Sequence, residues 1–229
     1  PGADEIIGLK CYDAIESLSK VVDHVVLALA NQHLESALKA AIAHGAKAVT
    51  IYSSGLLEDD TSPALLERLT QLATEAQIAV CGCNGMGFYN VRDDLYAGIF
   101  PKAINIQKGS ISYIAQSGSA FTTLCHNGNR LGFNLCVSSG NEMTTTVADY
   151  MDWSLEQPET RVIGLFLEAV RNPEAFVDAL KKALDKSIPV VILKIGKSPL
   201  SSEMALSHTG AVAGNHAAFE ALYRRYGVI

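Results

Sequence analysis

Residues Ser207-His208-Thr209-Gly210-Ala211-Val212-Ala213-Gly214 set one histidine among small side chains on a turn that opens a helix. An unhindered imidazole can attack a phosphoryl group. Exposed backbone N–H groups and the positive end of a helix dipole can hold the charge that arrives. A phosphorylated histidine would need a partner to fix the ring tautomer and a second anion-holding turn. Glu168 closes the apolar run Val162-Ile163-Gly164-Leu165-Phe166-Leu167, so its carboxylate falls at the carboxyl end of a strand, the edge where open α/β sheets bind ligands. There it can accept a ring N–H and leave the other nitrogen nucleophilic. Ser117-Gly118-Ser119 follows another apolar run and precedes a helix, which suits either an anion cradle or an ordinary N-cap. Ser139-Gly140-Asn141-Glu142 either closes the same pocket or forms a plain turn. His24, His33, His44, His126 and His216 lack a Gly/Ser setting and read as structural or surface residues.

These groups need strands and helices to aim them. The first half predicts strands at Val25–Leu29, Ala48–Tyr52 and Ile78–Val80. Helices are predicted over 32–44 and from Ser62 to Ala76, the second with Ser62 as N-cap and Pro63 at its first position. A Gly-rich loop follows from Gly82 to Gly87. The second half predicts strands at Ile111–Ala115, Phe133–Val137, Val162–Leu167 and Pro189–Lys194. Helices alternate with them: one after Ser119, then Thr144–Leu155 and Pro173–Leu184. This alternation is that of two doubly wound α/β domains. The aperiodic stretch 100–109 joins them, giving domains 1–104 and 105–229. The first domain lacks an opening strand with a Gly-rich turn, so a fragment of a longer protein is expected.

The chain has 229 residues, 48% of them hydrophobic and 18% charged, the balance of a soluble globular protein. A net charge of −6 gives no field to attract nucleic acid or anionic lipid. No apolar run is long enough for a membrane span and no signal peptide opens the chain. Five cysteines, an odd number without disulfide spacing, fit the cytoplasm. Cys81-Gly82-Cys83 is too tight for a zinc pair and has no answering pair, so no metal site is expected.

Several motifs together resemble one family, the NDP-forming acyl-CoA synthetases related to the succinyl-CoA synthetase alpha subunit. They are Ile114-Ala115-Gln116-Ser117-Gly118, Ser139-Gly140-Asn141, Glu168, the run 189–194 and Ser207-His208-Thr209-Gly210-Ala211, in the family's order. Val25 to Ala30, Tyr52-Ser53-Ser54-Gly55 and Gly82-Cys83-Asn84-Gly85-Met86-Gly87 look like its CoA-binding domain. The last is a variant with Cys83 where the family has proline and Gly85 where it has cysteine. The resemblance implies a truncated Rossmann-like CoA-binding domain followed by a flavodoxin-like domain carrying the phosphohistidine loop. It implies that His208 carries phosphate between ATP and a carboxylic acid, with CoA then attacking the acyl phosphate. Glu168 would hold the histidine. Ser117, Gly118, Ser119, Thr209, Gly210 and Ala211 would bind the phosphoryl group, and Ala30, Tyr52, Ser53, Ser54 and Asn84 would line the CoA site. ATP/ADP and Mg2+ would bind an ATP-grasp domain or subunit outside this chain, in an oligomer. Thr122, where the succinate enzyme has tyrosine, points to a different acid. Two alternatives stand beside the ligase: an acyl-CoA-sensing regulatory module of a protein acyltransferase, and a plain nucleotide-binding α/β protein.

Overall fold

The computed structural model describes residues 3–100, 106–126, 128–195 and 216–229. After a small hairpin of β1 (Glu5–Ile6) and β2 (Leu9–Lys10), three parallel strands form the first sheet. They are β3 (His24–Leu27), β4 (Ala48–Ile51) and β5 (Ala79–Gly82), in the order β3-β4-β5. Helices α1 (Leu34–His44) and α2 (Leu65–Glu75) bury Leu34, Leu38, Leu65 and Leu69 against Val49, Ile51 and Val80 of this sheet. Helical spacing puts those leucines on one stripe, and that stripe is what the sheet covers. Helix α1 stops at Gly45, whose φ of 92° lets the Gly45 N–H reach Ile42 O and the Ala46 N–H reach Ala41 O.

Helix α2 begins later than the sequence suggests. Ser62 and Pro63 precede it, and the N-cap is Ala64. Asp60 Oδ2 accepts the Leu65 N–H at 2.6 Å, and Arg68 ties Asp60, Thr61 and the Pro63 carbonyl together. A carboxylate at the positive helix end accepts more strongly than the Ser62 hydroxyl, and it decides where the helix starts.

The second sheet has six strands, in the order β11-β10-β8-β9-β6-β7. Strands β8 (Lys108–Ala115), β9 (Phe133–Ser138), β10 (Val162–Leu167) and β11 (Val190–Lys194) are parallel. The hairpin of β6 (Gly87–Asn90) and β7 (Leu95–Gly98) lies antiparallel on β9. It follows the Gly-rich loop directly, so the chain crosses from one sheet to the other at that loop. Helices α4 (Val147–Leu155) and α5 (Pro173–Asp185) pack Met151, Phe176 and Leu180 on one face of this sheet. Helix α3 (Gly118–Cys125) covers part of the other face with Phe121, against Tyr113 and Phe133. Helix α6 (His216–Tyr226) follows, and the chain's last residue, Ile229, hydrogen-bonds to Val190 and Ile192 at the β11 edge.

Candidate functional site

Register places the predicted residues along one line. Ala115 of β8 pairs with Ser138 of β9, and Phe166 of β10 pairs with Ala115. Two residues beyond these pairs stand Ser117, Gly140 and Glu168. Parallel strands all run out at the same edge, so three turns distant in sequence meet there. Ser117 caps α3: its Oγ accepts the Ala120 N–H at 3.3 Å. The Gly118 and Ser119 N–H groups then open the helix at its positive end. Thr122 is turned inward along the helix, its hydroxyl donating to Gly118 O at 2.9 Å. Glu168 is 7% exposed. His208, Thr209, Gly210 and Ala211 lie outside the described residues.

Two residues without a role in the sequence reading hold the Glu168 turn. Gln116 Oε1 accepts the N–H groups of Glu168 (2.6 Å) and Ala169 (2.9 Å), and its Nε2 donates to Ala169 O at 2.7 Å. From the other side Lys194 Nζ donates to Glu168 O at 2.7 Å and to Ile195 O. Burial pushes the Lys194 ammonium's pKa down, opposed by the Glu168 carboxylate. The Phe219 ring of α6 faces the same ammonium, 5.2 Å away. Both lie within motifs that carry the family resemblance, and each is a polar residue closing an apolar strand.

The turn 139–142 is more than a loop. Glu142 is 4% exposed with φ of 55°, and its Oε1 accepts the Ser139 hydroxyl at 2.9 Å. Its Oε2 is buried and has no hydrogen-bond partner among the described residues. Burial pushes the Glu142 carboxyl above the usual carboxylate range, against the pull of Gln116 and Ser139 beside it.

The CoA-side residues occupy the carboxyl edge of the first sheet. Ala30 is exposed at the end of β3, Tyr52, Ser53 and Ser54 follow β4, and Asn84 follows β5 with φ of 59°. The Asn84 N–H donates to Ser53 O at 2.9 Å, joining the two loops. Asn31, unremarked in the sequence, braces the loop after β4: its Nδ2 donates to Ser54 Oγ (3.0 Å) and Leu56 O (2.7 Å), and its Oδ1 accepts the Gly55 N–H (3.0 Å).

The two edges meet. The Gly82–Gly87 loop lies directly on the 138–143 turn, with Asn141 N–H to Cys83 O at 2.8 Å and Gly82 N–H to Ser139 O at 3.2 Å. Met86 N–H adds a bond to Ser138 Oγ at 3.0 Å. A Cβ on Gly140 would stand 2.1 Å from Cys83 O, and one on Gly85 would stand 2.5 Å from Ser138 O, so the backbones are in contact. Met86 also packs against Gly118 at the start of α3. Cys81 and Cys83 serve this junction as buried thiols: burial raises their pKa values to about 11 and about 12, so neither is a thiolate at neutral pH. Among the described residues no group of three His, Cys, Asp or Glu side chains is placed to hold a metal ion.

One of two cavities adjoins the site and the other lies apart from it. One of about 560 Å³ reaches Ser117 and Ser119 from the apolar side, between Tyr113, Phe166 and Leu193. The other, of about 420 Å³, lies between the first sheet and α4, lined by His24, Thr50, Phe88, Tyr150 and Trp153 among others, and touches none of the predicted site residues.

Comparison with known proteins gives the same order of parts. Residues 1–90 match a CoA binding domain, and residues 108–229 match the succinyl-CoA ligase like flavodoxin domain. The chain is 28% identical to an ADP-forming acetate–CoA ligase (II) of Archaeoglobus fulgidus, with 100% of this chain and 34% of the relative covered. It is also 28% identical to the alpha subunit of an ADP-forming acetate–CoA ligase (II) of Pyrococcus furiosus, over 99% of this chain and 49% of that subunit. A solved structure of Ca. Korarchaeum cryptofilum dinucleotide forming acetyl-coenzyme A synthetase 1, in complex with phosphate and ADP, superimposes with a TM-score of 0.89. It is 28% identical, with 100% of this chain and 49% of that one covered. The chain thus spans a third to a half of the length of these relatives.

Proposed function

Since the chain belongs to the succinyl-CoA ligase-like family, with a CoA-binding domain ahead of the flavodoxin-like one, we propose that it is the CoA-binding and phosphohistidine-bearing part of an acid–thiol ligase. The reaction interconverts a carboxylic acid, CoA and ATP with acyl-CoA, ADP and phosphate. The observation that carries this reading is the junction of the two carboxyl edges, where the Gly82–Gly87 loop is hydrogen-bonded to the 138–143 turn. A thiol held on one edge and a phosphoryl group held on the other are then within reach of one small acid.

In this reading a His208 ring nitrogen takes the terminal phosphoryl group of ATP, forming an N–P bond as the P–O bond to ADP breaks. The acid's carboxylate oxygen next takes the phosphoryl group and frees the imidazole. The CoA sulfur attacks the acyl carbon of the resulting acyl phosphate, and phosphate leaves. Glu168 accepts the ring N–H of His208 and keeps the reacting nitrogen unprotonated. The N–H groups of Ser117, Gly118 and Ser119 face the phosphoryl oxygens, joined by those of Thr209, Gly210 and Ala211. Dipoles suit this role better than lysines, because a transfer that must run both ways cannot leave the phosphoryl group trapped by full charges. Ala30, Tyr52, Ser53, Ser54 and Asn84 hold CoA, with Asn31 keeping the loop after β4 in place.

The partner is an ATP-grasp portion that binds ATP and Mg2+, on the same polypeptide or on a second subunit as the alpha-subunit relative suggests. As part of this proposal the domains are 1–104 and 105–229, with the β6–β7 hairpin, before residue 104, paired with β9 of the second sheet. Five free cysteines support a reducing compartment, the cytoplasm. No helix among the described residues is long and apolar enough to cross a membrane.

The test is to incubate the full-length assembly with labelled ATP and Mg2+. Acid-labile, base-stable phosphate is expected on the protein and is expected to vanish in His208→Ala but not in His126→Ala. Label that persists in His208→Ala refutes the assignment.

A further inference from the structure

Gln116 is 8% exposed, and its side-chain amide makes three hydrogen bonds to one dipeptide 52 residues away in the chain. The two strands it joins are already paired through Phe166 and Ala115, and the Gln116 N–H extends the ladder to Phe166 O at 3.1 Å. Beyond that point the backbone leaves the sheet. Without the Gln116 amide, the Glu168 and Ala169 N–H groups and the Ala169 carbonyl would have no partner among the described residues. A side-chain amide is the group that offers an acceptor for two donors and a donor for one acceptor at this spacing. A carboxylate would set an oxygen against Ala169 O, and an apolar side chain would satisfy none of the three.

The consequence falls on Glu168, because the amide fixes the backbone from which the carboxylate projects. We infer that Gln116 is a positioning residue for Glu168: it sets the height and direction of the carboxylate that orients the phosphate-carrying histidine. The inference rests on the ligase reading above. The buried Glu142 lies beside the same amide. With Lys194 on the far flank, the Glu168 turn is gripped from both neighbouring strands, β8 and β11.

A role in folding alone predicts a different outcome from a role through Glu168, and a double-mutant cycle separates them. The full-length assembly is loaded with labelled ATP and Mg2+, and the single-turnover rate of protein phosphorylation is measured in wild type, Gln116→Met, Glu168→Gln and the double variant. His208→Ala serves as the blank, and CoA affinity is measured in parallel. Gln116→Met is expected to slow labelling by about 100-fold, the scale of an ångström-level misplacement, while CoA affinity stays within about twofold. In the Glu168→Gln background the same change is expected to cost less than about threefold. Losses that multiply, or a labelling rate that Gln116→Met leaves unchanged, overturn the inference. If Gln116→Met does not fold, Gln116→Glu carries the test. It keeps the shape and both acceptor bonds, and the same non-additivity is required of it. Absence of label in wild type refutes the ligase reading and this inference with it. Label in wild type with multiplying losses refutes this inference alone.

Discussion

Gly140→Ala strikes a place where the loops of both sheets are in backbone contact. Gly140 has φ of 61°, and an added Cβ would meet Cys83 O at 2.1 Å, Asn84 C at 2.8 Å and Gly85 N at 2.8 Å. All three atoms are backbone, so no side chain can rotate away, and the two loops must separate by about 1 Å. That separation breaks or stretches the bonds from Asn141 N–H to Cys83 O, from Gly82 N–H to Ser139 O and from Met86 N–H to Ser138 Oγ. At a net ~0.5–1.5 kcal/mol per hydrogen bond, with a further ~1 kcal/mol for a non-glycine residue in the left-handed region, the loss comes to roughly 3–5 kcal/mol. Against a total stability of about 5–15 kcal/mol this is a large fraction. Gly128→Ala is the internal control: its φ is 67° and its Cβ would meet nothing within 4 Å, so only the conformational cost of ~1 kcal/mol applies. Urea unfolding of this chain, read by circular dichroism, measures both variants. Isothermal calorimetry with CoA reports whether the CoA-side loop has moved. If Gly140→Ala costs no more than Gly128→Ala, or leaves CoA affinity unchanged, the junction does not couple the two edges and the reasoning is wrong.

Two smaller perturbations probe the site from within. Ser117→Ala removes the α3 cap and should cost about 0.5–1 kcal/mol in urea unfolding, the low end of the usual range because the bond is long at 3.3 Å. The full-length assembly should also lose phosphoryl transfer rate out of proportion to that figure. Glu142 has a folded-state pKa raised by burial, so the folded protein holds its proton more tightly than the unfolded chain does. The stability it contributes is complete below the ordinary carboxylate pKa of about 4.5 and is lost as pH rises through the raised value. Glu142→Gln should remove that decline, becoming more stable than wild type on the alkaline side of the window. A wild-type stability that rises across the same window at the rate of the variant would show that Glu142 is ionised without cost.

How much of this was legible in the chain depends on distance along it. Val162–Leu167 is an uninterrupted apolar run with strand length, and the strand occupies that range. Pro173 and Asn172 mark the start of α5 because their preferences act on the adjacent backbone: the Asn172 Oδ1 takes the Ala175 N–H and Pro173 needs no donor. Asp60 defeated the same logic at α2, since a charged acceptor four residues upstream of the cap outcompeted the local Ser-Pro signal. The β6–β7 hairpin went unread because its four-residue strands carry little pattern of their own and are stabilised by β9, more than 40 residues away.

The site divides along the same line. Residue type and local order identified Ser117-Gly118-Ser119 as a helix start and Glu168 as a strand-end carboxylate, since each judgement needs only a few neighbouring residues; the reading of His208 as an unhindered imidazole falls outside the described residues. Which turns share an edge was settled by the β10-β8-β9 pairing. Which backbone atoms touch across the sheets was settled by the glycines at 85 and 140. The grip of Gln116 on Glu168 belongs to this second kind. A hydrogen bond between positions 116 and 168 has no local signature, because it exists only after two strands far apart in sequence lie side by side.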